Sequence, residues 1–439
     1  MSDLPSAPAH AHKIVLATFG TYGDVHPFIA LALALKQRGM VPVIAAAEAY
    51  RGKIQAEGIA FHHMRPDVDA IATRLNMDQR QMARAIARHP EFMLNKIVMP
   101  SLRDAYDDAM EVVRDADVVI TNSVAYGAKL AADKCSLPHF GVALQPFVFL
   151  SVFDPPIVAT MPRMSAWIYR RSPWFTRAFF SLGKWVARRW ASPIEALRRE
   201  IGLPPSPAHP LFEGQFGDAA IGMFSHLFGA AQPDHPQHTA IVGFAFYDRS
   251  AGGLTTLPNP LREFLDAGTP PIVFTQGTSA VHDSDAFVRE SLAAVRVLGV
   301  RAVIVLNDEQ AMRWSTQASD SILISAYAPY SLLFPRALIN VHHGGVGTTA
   351  QALRAGRPQL IAPYLVDQPD NAARVVRMGV GRSLALHRYR AARVVAELRV
   401  LMNDSILAQR AAATGERVAR QDGAAAAADI IVAACHRTG

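Results

Sequence analysis

Two glycine-rich turns, each joining a strand to a helix, hold the residues of this 439-residue chain whose types and spacing could do chemistry. The first reads Phe19-Gly20-Thr21-Tyr22-Gly23-Asp24-Val25-His26-Pro27. Glycines let a ligand approach the main chain, and the amides at a helix start favour negative charge. Alone the signal is weak, and Asp24 by itself reads as a helix N-cap. The second turn says more. Ala328-Pro329 leads through a short apolar helix and a strand to His342-His343-Gly344-Gly345-Val346-Gly347-Thr348-Thr349, and Asp367-Gln368 and Asn371 follow the next strand. Several amide donors and a helix dipole converging on one point suit a phosphate. Either His343 or Thr348 could add a side-chain donor. The fixed order of these three pieces is far more specific than a lone glycine loop.

Short apolar segments alternate with helical ones along nearly the whole chain, the pattern of parallel sheets covered by helices. Strands are expected at 14–18, 42–47, 59–64, 118–121, 139–144 and 219–225, with an apolar helix over 28–37. A second set is expected at 272–275, 302–306, 322–327, 338–342, 359–362 and 381–386, with a helix over 348–355. The fold class is therefore α/β, with two doubly wound Rossmann-like domains facing across a cleft. The expected division is an N-terminal domain at 1–228, a Gly- and Pro-rich linker at 229–260, a C-terminal domain at 261–420 and a terminal helix at 421–439.

One stretch breaks the rhythm. Between Met164 and Glu200 lie Trp167, Trp174, Trp185 and Trp190. Ser172-Pro173 supplies an N-cap and a first-turn proline. Phe175, Phe179, Leu182, Val186 and Trp190 then recur at helical spacing, with Arg177, Lys184 and Arg188 opposite. The expectation is a helix packed into the first domain by this aromatic stripe. The alternative is an interfacial helix beside an anionic membrane or a greasy acceptor.

The three-piece order resembles the donor-binding signature of the family 1 glycosyltransferases, enzymes of the GT-B fold, and the resemblance spans almost the whole sequence. It includes the Gly20 to Pro27 loop and Phe274-Thr275-Gln276-Gly277-Thr278. Within the family the sequence is similar to the bacterial rhamnosyltransferase group that makes mono-rhamnolipid in rhamnolipid biosynthesis. The resemblance implies that Tyr327 stacks on the donor base and the Ala328 backbone reads its edge. His343 would contact the pyrophosphate, with Gly345, Val346, Gly347 and Thr348 lining the same pocket and Gly23, Thr275, Gly277 and Thr278 beside it. Asp367 and Gln368 would hold sugar hydroxyls. Gln351 stands where many UDP-sugar enzymes carry a ribose-binding Glu, which suits a deoxyribose donor. Asp24 takes the place of the catalytic base, with His26 as the competing candidate.

The implied activity is an inverting, metal-independent transfer of L-rhamnose from dTDP-L-rhamnose to a hydroxyl of an apolar acceptor, a 3-hydroxyalkanoyl lipid. The alternative is a UDP- or dTDP-sugar transferase acting on a sterol, a macrolide or other polyketide, or a carotenoid. A silent auxiliary protein and a sugar-nucleotide epimerase are the readings from other classes. No cofactor is expected beyond the sugar nucleotide.

Composition narrows the field. Hydrophobic residues make up 50% and charged residues 18%, enough apolar side chain for two full cores and incompatible with disorder. Two cysteines, Cys135 and Cys435, argue against a disulfide framework and fit the cytoplasm. The formal charge of +7 favours phosphates or acidic lipid surfaces, and no basic arm of the nucleic-acid type is present. Localisation is expected to be cytoplasmic, with peripheral contact at the inner membrane face. Asp67-Val68-Asp69, Asp115-Ala116-Asp117 and Asp283-Ser284-Asp285 match the Asp-x-Asp pattern of metal-dependent transferases. They read better as caps or solvated acids.

Overall fold

The computed structural model describes residues 12–89, 91–248, 256–276 and 284–438. Among the described residues, thirteen strands form two wholly parallel sheets. The first contains β1 (Lys13–Ala17), β2 (Val41–Ala46), β3 (Ala60–His63), β4 (Val118–Asn122), β5 (His139–Ala143), β6 (Ala219–Gly222) and β7 (Thr239–Ile241), in the order 3-2-1-4-5-6-7. The second contains β8 (Ile272–Thr275), β9 (Ala302–Val305), β10 (Ile322–Ser325), β11 (Ile339–His342), β12 (Gln359–Ile361) and β13 (Gly381–Ser383), in the order 10-9-8-11-12-13. β1 and β8 are apolar on both faces because helices cover both. In register, Leu16 lies between Ile44 and Ile120, and Val341 lies between Phe274 and Leu360.

In each sheet the strand order reverses once, between β1 and β4 and between β8 and β11. Ligands of open parallel sheets bind outside the carboxyl ends of the strands at that reversal. Residues 19–26 leave β1, Asn122 ends β4, Thr275 ends β8 and His342 ends β11. Both glycine turns of the sequence therefore sit at switch points.

The halves share an apolar seam. Phe149, Phe216, Phe224 and Phe228 of the first cluster with Leu353, Ile361, Val375 and Val418 of the second. Helix Gly423–Thr438 packs on helix Tyr22–Lys36, placing Ala427, Ala428 and Ile431 in one core with Phe28, Ile29 and Leu35. A Cβ on Gly423 would stand 2.1 Å from the Gly243 carbonyl oxygen, so the approach of the terminal helix requires glycine there.

Three expectations are corrected. The segment 229–260 contains β7, a three-residue strand beside β6 too short to show alternation. The first helix begins at Tyr22 rather than 28 and carries Pro27 inside it, because Thr21 and Asp24 form a capping box that starts the helix six residues earlier. Helix Val346–Arg354 likewise starts before 348.

The long helix Pro173–Glu200 packs by only part of the expected stripe: Trp190 lies against the core, and Phe179 and Val186 are half-buried. Its buried positions include Thr176, Phe180, Ala187, Ala191, Ile194 and Leu197. Phe175 and Leu182 instead face solvent, at 51% and 60% exposure. The small side chains of Ala187 and Ala191 seat the helix in the cluster of Tyr106, Ala109 and Val113, and close packing outweighs the larger apolar area of the other face.

Candidate active site

The first turn is shaped around one carboxylate. Thr21 caps helix Tyr22–Lys36, and its Oγ1 accepts the Gly23 N–H at 3.2 Å. Asp24 is not the N-cap; it occupies the third helical position, where its Oδ2 accepts the Thr21 N–H at 2.8 Å. Gly20, at φ +142°, sits against it, and a Cβ there would lie 2.1 Å from Oδ2. Only glycine leaves the space that Asp24 occupies. Asn122 pins the loop from the other side of the reversal, donating from Nδ2 to the Phe19 carbonyl at 2.6 Å.

Burial raises the Asp24 carboxyl from 3.8 to about 6, against the opposing effect of the Thr21 hydrogen bonds. Such a group is ionised at neutral pH yet still basic enough to take a proton. His26 differs. Its ring lies between Tyr22 and Tyr247, at centroid distances of 5.3 and 5.0 Å. Burial, helped by Lys53, lowers it to about 3. It is neutral at working pH and a far weaker base than Asp24.

The second turn is built for an anion. Gly344, at φ +94°, brings the chain off β11, and a Cβ there would clash with Ile361 at 2.7 Å. His342 accepts the Gly344 N–H on Nδ1 at 3.1 Å, and its Nε2 meets Gln359 at 3.0 Å. Asn371 donates to the Gly344 carbonyl at 2.9 Å. The helix that follows has Gly345 as N-cap and no side-chain cap, which leaves the amides of Val346, Gly347 and Thr348 without intrahelical acceptors. Gly347 is exposed, and a Cβ on it would meet nothing within 4 Å. Open space therefore lies over the helix start.

His343 stands beside these amides, 5% exposed. Gly345 admits its ring, since a Cβ at 345 would lie 2.4 Å from His343 Nε2. Burial, with His342 adding to it, lowers His343 to about 3, so it is neutral and carries one N–H. Among the described residues, several buried polar atoms without a partner gather on these elements: His343 Nδ1, Thr349 Oγ1, Gln351 Oε1 and Gln276 Oε1. Buried polar atoms are normally paired, and a group of unpaired ones marks the place of a polar ligand.

The two turns converge. Val346 packs against the core that contains Val25 and Phe28 of the first half. Asp367, whose Oδ2 accepts from Asn371 at 2.7 Å, is raised by burial to about 7, with the charges of Asp24 and Asp370 pushing the same way. Two carboxylates from opposite halves thus feel one another across the gap. Val366, just before Asp367, has φ +49°, a conformation unusual for a β-branched residue and a mark of backbone held under constraint.

Other expected residues take more specific places. Tyr327 is 46% exposed beside Ala328 at 5%, which leaves an aromatic face open. The Thr275 hydroxyl is bonded to the Tyr330 hydroxyl at 2.7 Å. Gln368 Oε1 accepts the amides of Tyr364 and Leu365, at 2.9 and 3.2 Å, so only its amide N–H groups remain for a sugar. Gly277 and Thr278 lie outside the described residues.

Of the Asp-x-Asp acids, Asp67 accepts from Glu48 and His63, Asp115 and Asp117 hold Lys13, and Asp285 pairs with Arg313. Asp283 lies outside the described residues. No group of three or more metal-ligating side chains occurs among the described residues.

Sequence reading missed a buried latch between the halves. Arg374, 1% exposed, donates from Nε to Asp370 at 2.7 Å, and from Nη1 to Asp154 and to the Phe228 carbonyl at 3.1 Å. Asp370 also accepts the Ile157 N–H at 2.9 Å. The helix bearing Gln368 is thereby tied to residues 154–157 of the first half. The i,i+4 spacing of Asp370 and Arg374 was the only trace of this in the sequence.

Known proteins resemble this chain in sequence and fold. A model of the glycosyltransferase family 28 N-terminal domain matches residues 14–152, and one of the erythromycin biosynthesis protein CIII-like C-terminal domain matches residues 290–433. The chain is 28% identical over 431 residues to O-mycaminosyltylonolide 6-deoxyallosyltransferase of Streptomyces fradiae, covering 94% of each. It is 25% identical to sterol 3-beta-glucosyltransferase UGT80B1 of Arabidopsis thaliana, over 84% of this chain and 59% of that protein. Among solved structures, spinosyn rhamnosyltransferase SpnG complexed with thymidine diphosphate superposes with TM-score 0.66 at 17% identity, over 95% of this chain and 99% of that one. Spinosyn forosaminyltransferase SpnP does so at 0.69 and 17%, over 98% and 100%. At such identity these structures establish the shared architecture.

Proposed function

We propose that this chain, a glycosyltransferase of the GT-B fold, transfers L-rhamnose from dTDP-L-rhamnose, with inversion, to a hydroxyl of a 3-hydroxyalkanoyl lipid. Supporting the chemistry above all is the uncapped helix start at Val346, with the unpartnered His343 Nδ1 beside it and the Asp24 carboxylate in the facing half.

In this reading Asp24 takes the proton of the acceptor hydroxyl as its oxygen attacks the anomeric carbon. The bond from that carbon to the nucleoside diphosphate breaks, and the electron pair leaves with the diphosphate. Amides 346–348 and the neutral His343 stabilise the charge that develops there, a role in which each well-aimed donor is worth about 10²- to 10³-fold. Base and leaving group lie on opposite sides of the sugar, so its configuration inverts. Tyr327 stacks on the base, and Asp367 with the Gln368 amide holds the sugar.

The thymidine assignment draws on Gln351, which stands buried with Oε1 unpaired where a ribose-binding Glu would otherwise be expected. It is in keeping with the thymidine diphosphate seen on the spinosyn rhamnosyltransferase. The second reading, a UDP- or dTDP-sugar transferase acting on a macrolide or sterol, draws on the acceptors named for the curated relatives. A panel crossing dTDP-rhamnose, other dTDP-hexoses and UDP-glucose with 3-hydroxyalkanoyl, macrolide and sterol acceptors separates the two. Fastest turnover with the rhamnosyl and hydroxyalkanoyl pair supports the first reading. Faster turnover with UDP-glucose on a sterol or macrolide removes it.

A further inference from the structure

Helices Pro162–Tyr169 and Pro173–Glu200 expose a surface that the transfer chemistry does not use. Trp167, Trp174, Phe175, Leu182 and Trp185 are 58%, 67%, 51%, 60% and 70% exposed. At 100° per residue, Trp174 and Trp185 point within about 20° of one another, with Leu182 and Phe175 on the same arc. Soluble chains seldom leave so much contiguous aromatic surface bare without a partner.

The charge around this surface has one sign. Residues 162–194 contain Arg163, Arg170, Arg171, Arg177, Lys184, Arg188 and Arg189 and no Asp or Glu. Among the described residues only Lys184 of these has an acidic partner, Glu213. The Arg171 guanidinium lies over the Trp167 ring at 4.5 Å. Large aromatic side chains on one arc of a long helix, flanked by unpaired arginines, make up the composition of a helix lying in the headgroup plane of an anionic bilayer. No helix among the described residues is long and apolar enough to cross a membrane, so the contact is one of lying on the surface. A cavity of about 400 Å³ adjoins the same helix, lined by Phe180, Phe212 and Phe216 together with Arg177, Lys184 and Asp234.

We infer that this two-helix face docks the protein on anionic phospholipid, the arginines meeting headgroup phosphates while Trp174, Leu182 and Trp185 enter the acyl boundary. The inference does not depend on which sugar is moved, because its test reads binding rather than turnover. Full-length protein is mixed with vesicles of phosphatidylglycerol in phosphatidylcholine and, separately, of phosphatidylcholine alone. Co-sedimentation and tryptophan emission are followed at rising salt.

Binding to the anionic vesicles with a blue shift in emission, weakening as salt rises, is expected, with far less on the neutral ones. Replacing Arg177→Gln together with Arg188→Gln should weaken binding about fivefold per charge. The pair Trp174→Ser and Trp185→Ser should weaken it at least about tenfold and abolish the blue shift. All four side chains are exposed, so unchanged melting temperatures will show that the variants fold. The proposal is overturned if the wild type ignores anionic vesicles at low salt or if the variants bind as well as the wild type. Self-association through this face without vesicle binding, seen by sedimentation velocity, would overturn it too.

Discussion

Replacing Asp24→Asn should remove the base while leaving the helix start intact, because the asparagine oxygen can still accept the Thr21 N–H at the 2.8 Å now made by Oδ2. A positioned general base contributes about 10²- to 10⁴-fold, so kcat should fall by that factor with little change in donor KM. The same substitution carries a second signature. The folded carboxyl titrates at about 6 rather than 3.8, so between those values the folded state binds more protons than the unfolded one. Its contribution to stability therefore declines as pH rises through that window. A displacement of this size corresponds to about 3 kcal/mol, and the partial solvent access of Asp24 reduces the expected figure to about 2 kcal/mol. Relative to wild type, Asp24→Asn should gain about that much stability between pH ~4 and ~7. Denaturant melts across pH measure this, and initial rates of nucleoside diphosphate release measure kcat. Wild-type kcat/KM should fall as pH drops below about 6, the point at which Asp24 loses its charge. A variant that keeps more than about a tenth of the wild-type kcat, or a stability difference flat in pH, refutes the assignment.

Further outcomes follow from the same geometry. His343→Ala should weaken thymidine diphosphate binding measured by calorimetry and lower kcat by about 10²- to 10³-fold, since it removes a side-chain donor beside amides 346–348. Gly20→Ala places a methyl 2.1 Å from Asp24 Oδ2 and should depress kcat far more than donor affinity, as separate titrations of donor and acceptor will show. Arg374→Ala strands Asp370, while Asp154 keeps Arg377 at 3.0 Å, and should cost about 3–5 kcal/mol in a denaturant melt, as breaking a buried ion pair does. Treatment with EDTA should leave the rate unchanged if, as proposed, amides and a neutral imidazole meet the leaving diphosphate; loss of activity restored by a divalent cation would contradict that.

Short-range features were readable in the amino-acid order. Both glycine turns, the Ser172-Pro173 helix start and the strand alternation depend on neighbours a few residues apart, and β8 appears where its pattern places it. Distant contacts were not readable. The raised carboxyl of Asp367 depends partly on the charge of Asp24, far away in the sequence, and the use of Gln368 Oε1 depends on how the 364–368 loop folds back. The face of helix Pro173–Glu200 was misjudged because both sides carry apolar residues. Burial went to the side where alanines permit close approach, a choice that hydrophobic spacing alone does not encode. Strand β7 escaped notice because Thr239–Ile241 is three residues among prolines and glycines. The Arg374 latch joins positions 154, 228 and 374, with only its Asp370 partner close in sequence.

A crystal structure with thymidine diphosphate and a non-reactive acceptor analogue addresses the central claim most directly. The account predicts the terminal phosphate within hydrogen-bonding reach of His343 and the amides at 346–348, and the acceptor hydroxyl within reach of Asp24. A diphosphate seated elsewhere, or a hydroxyl held by His26 with Asp24 turned away, would contradict it.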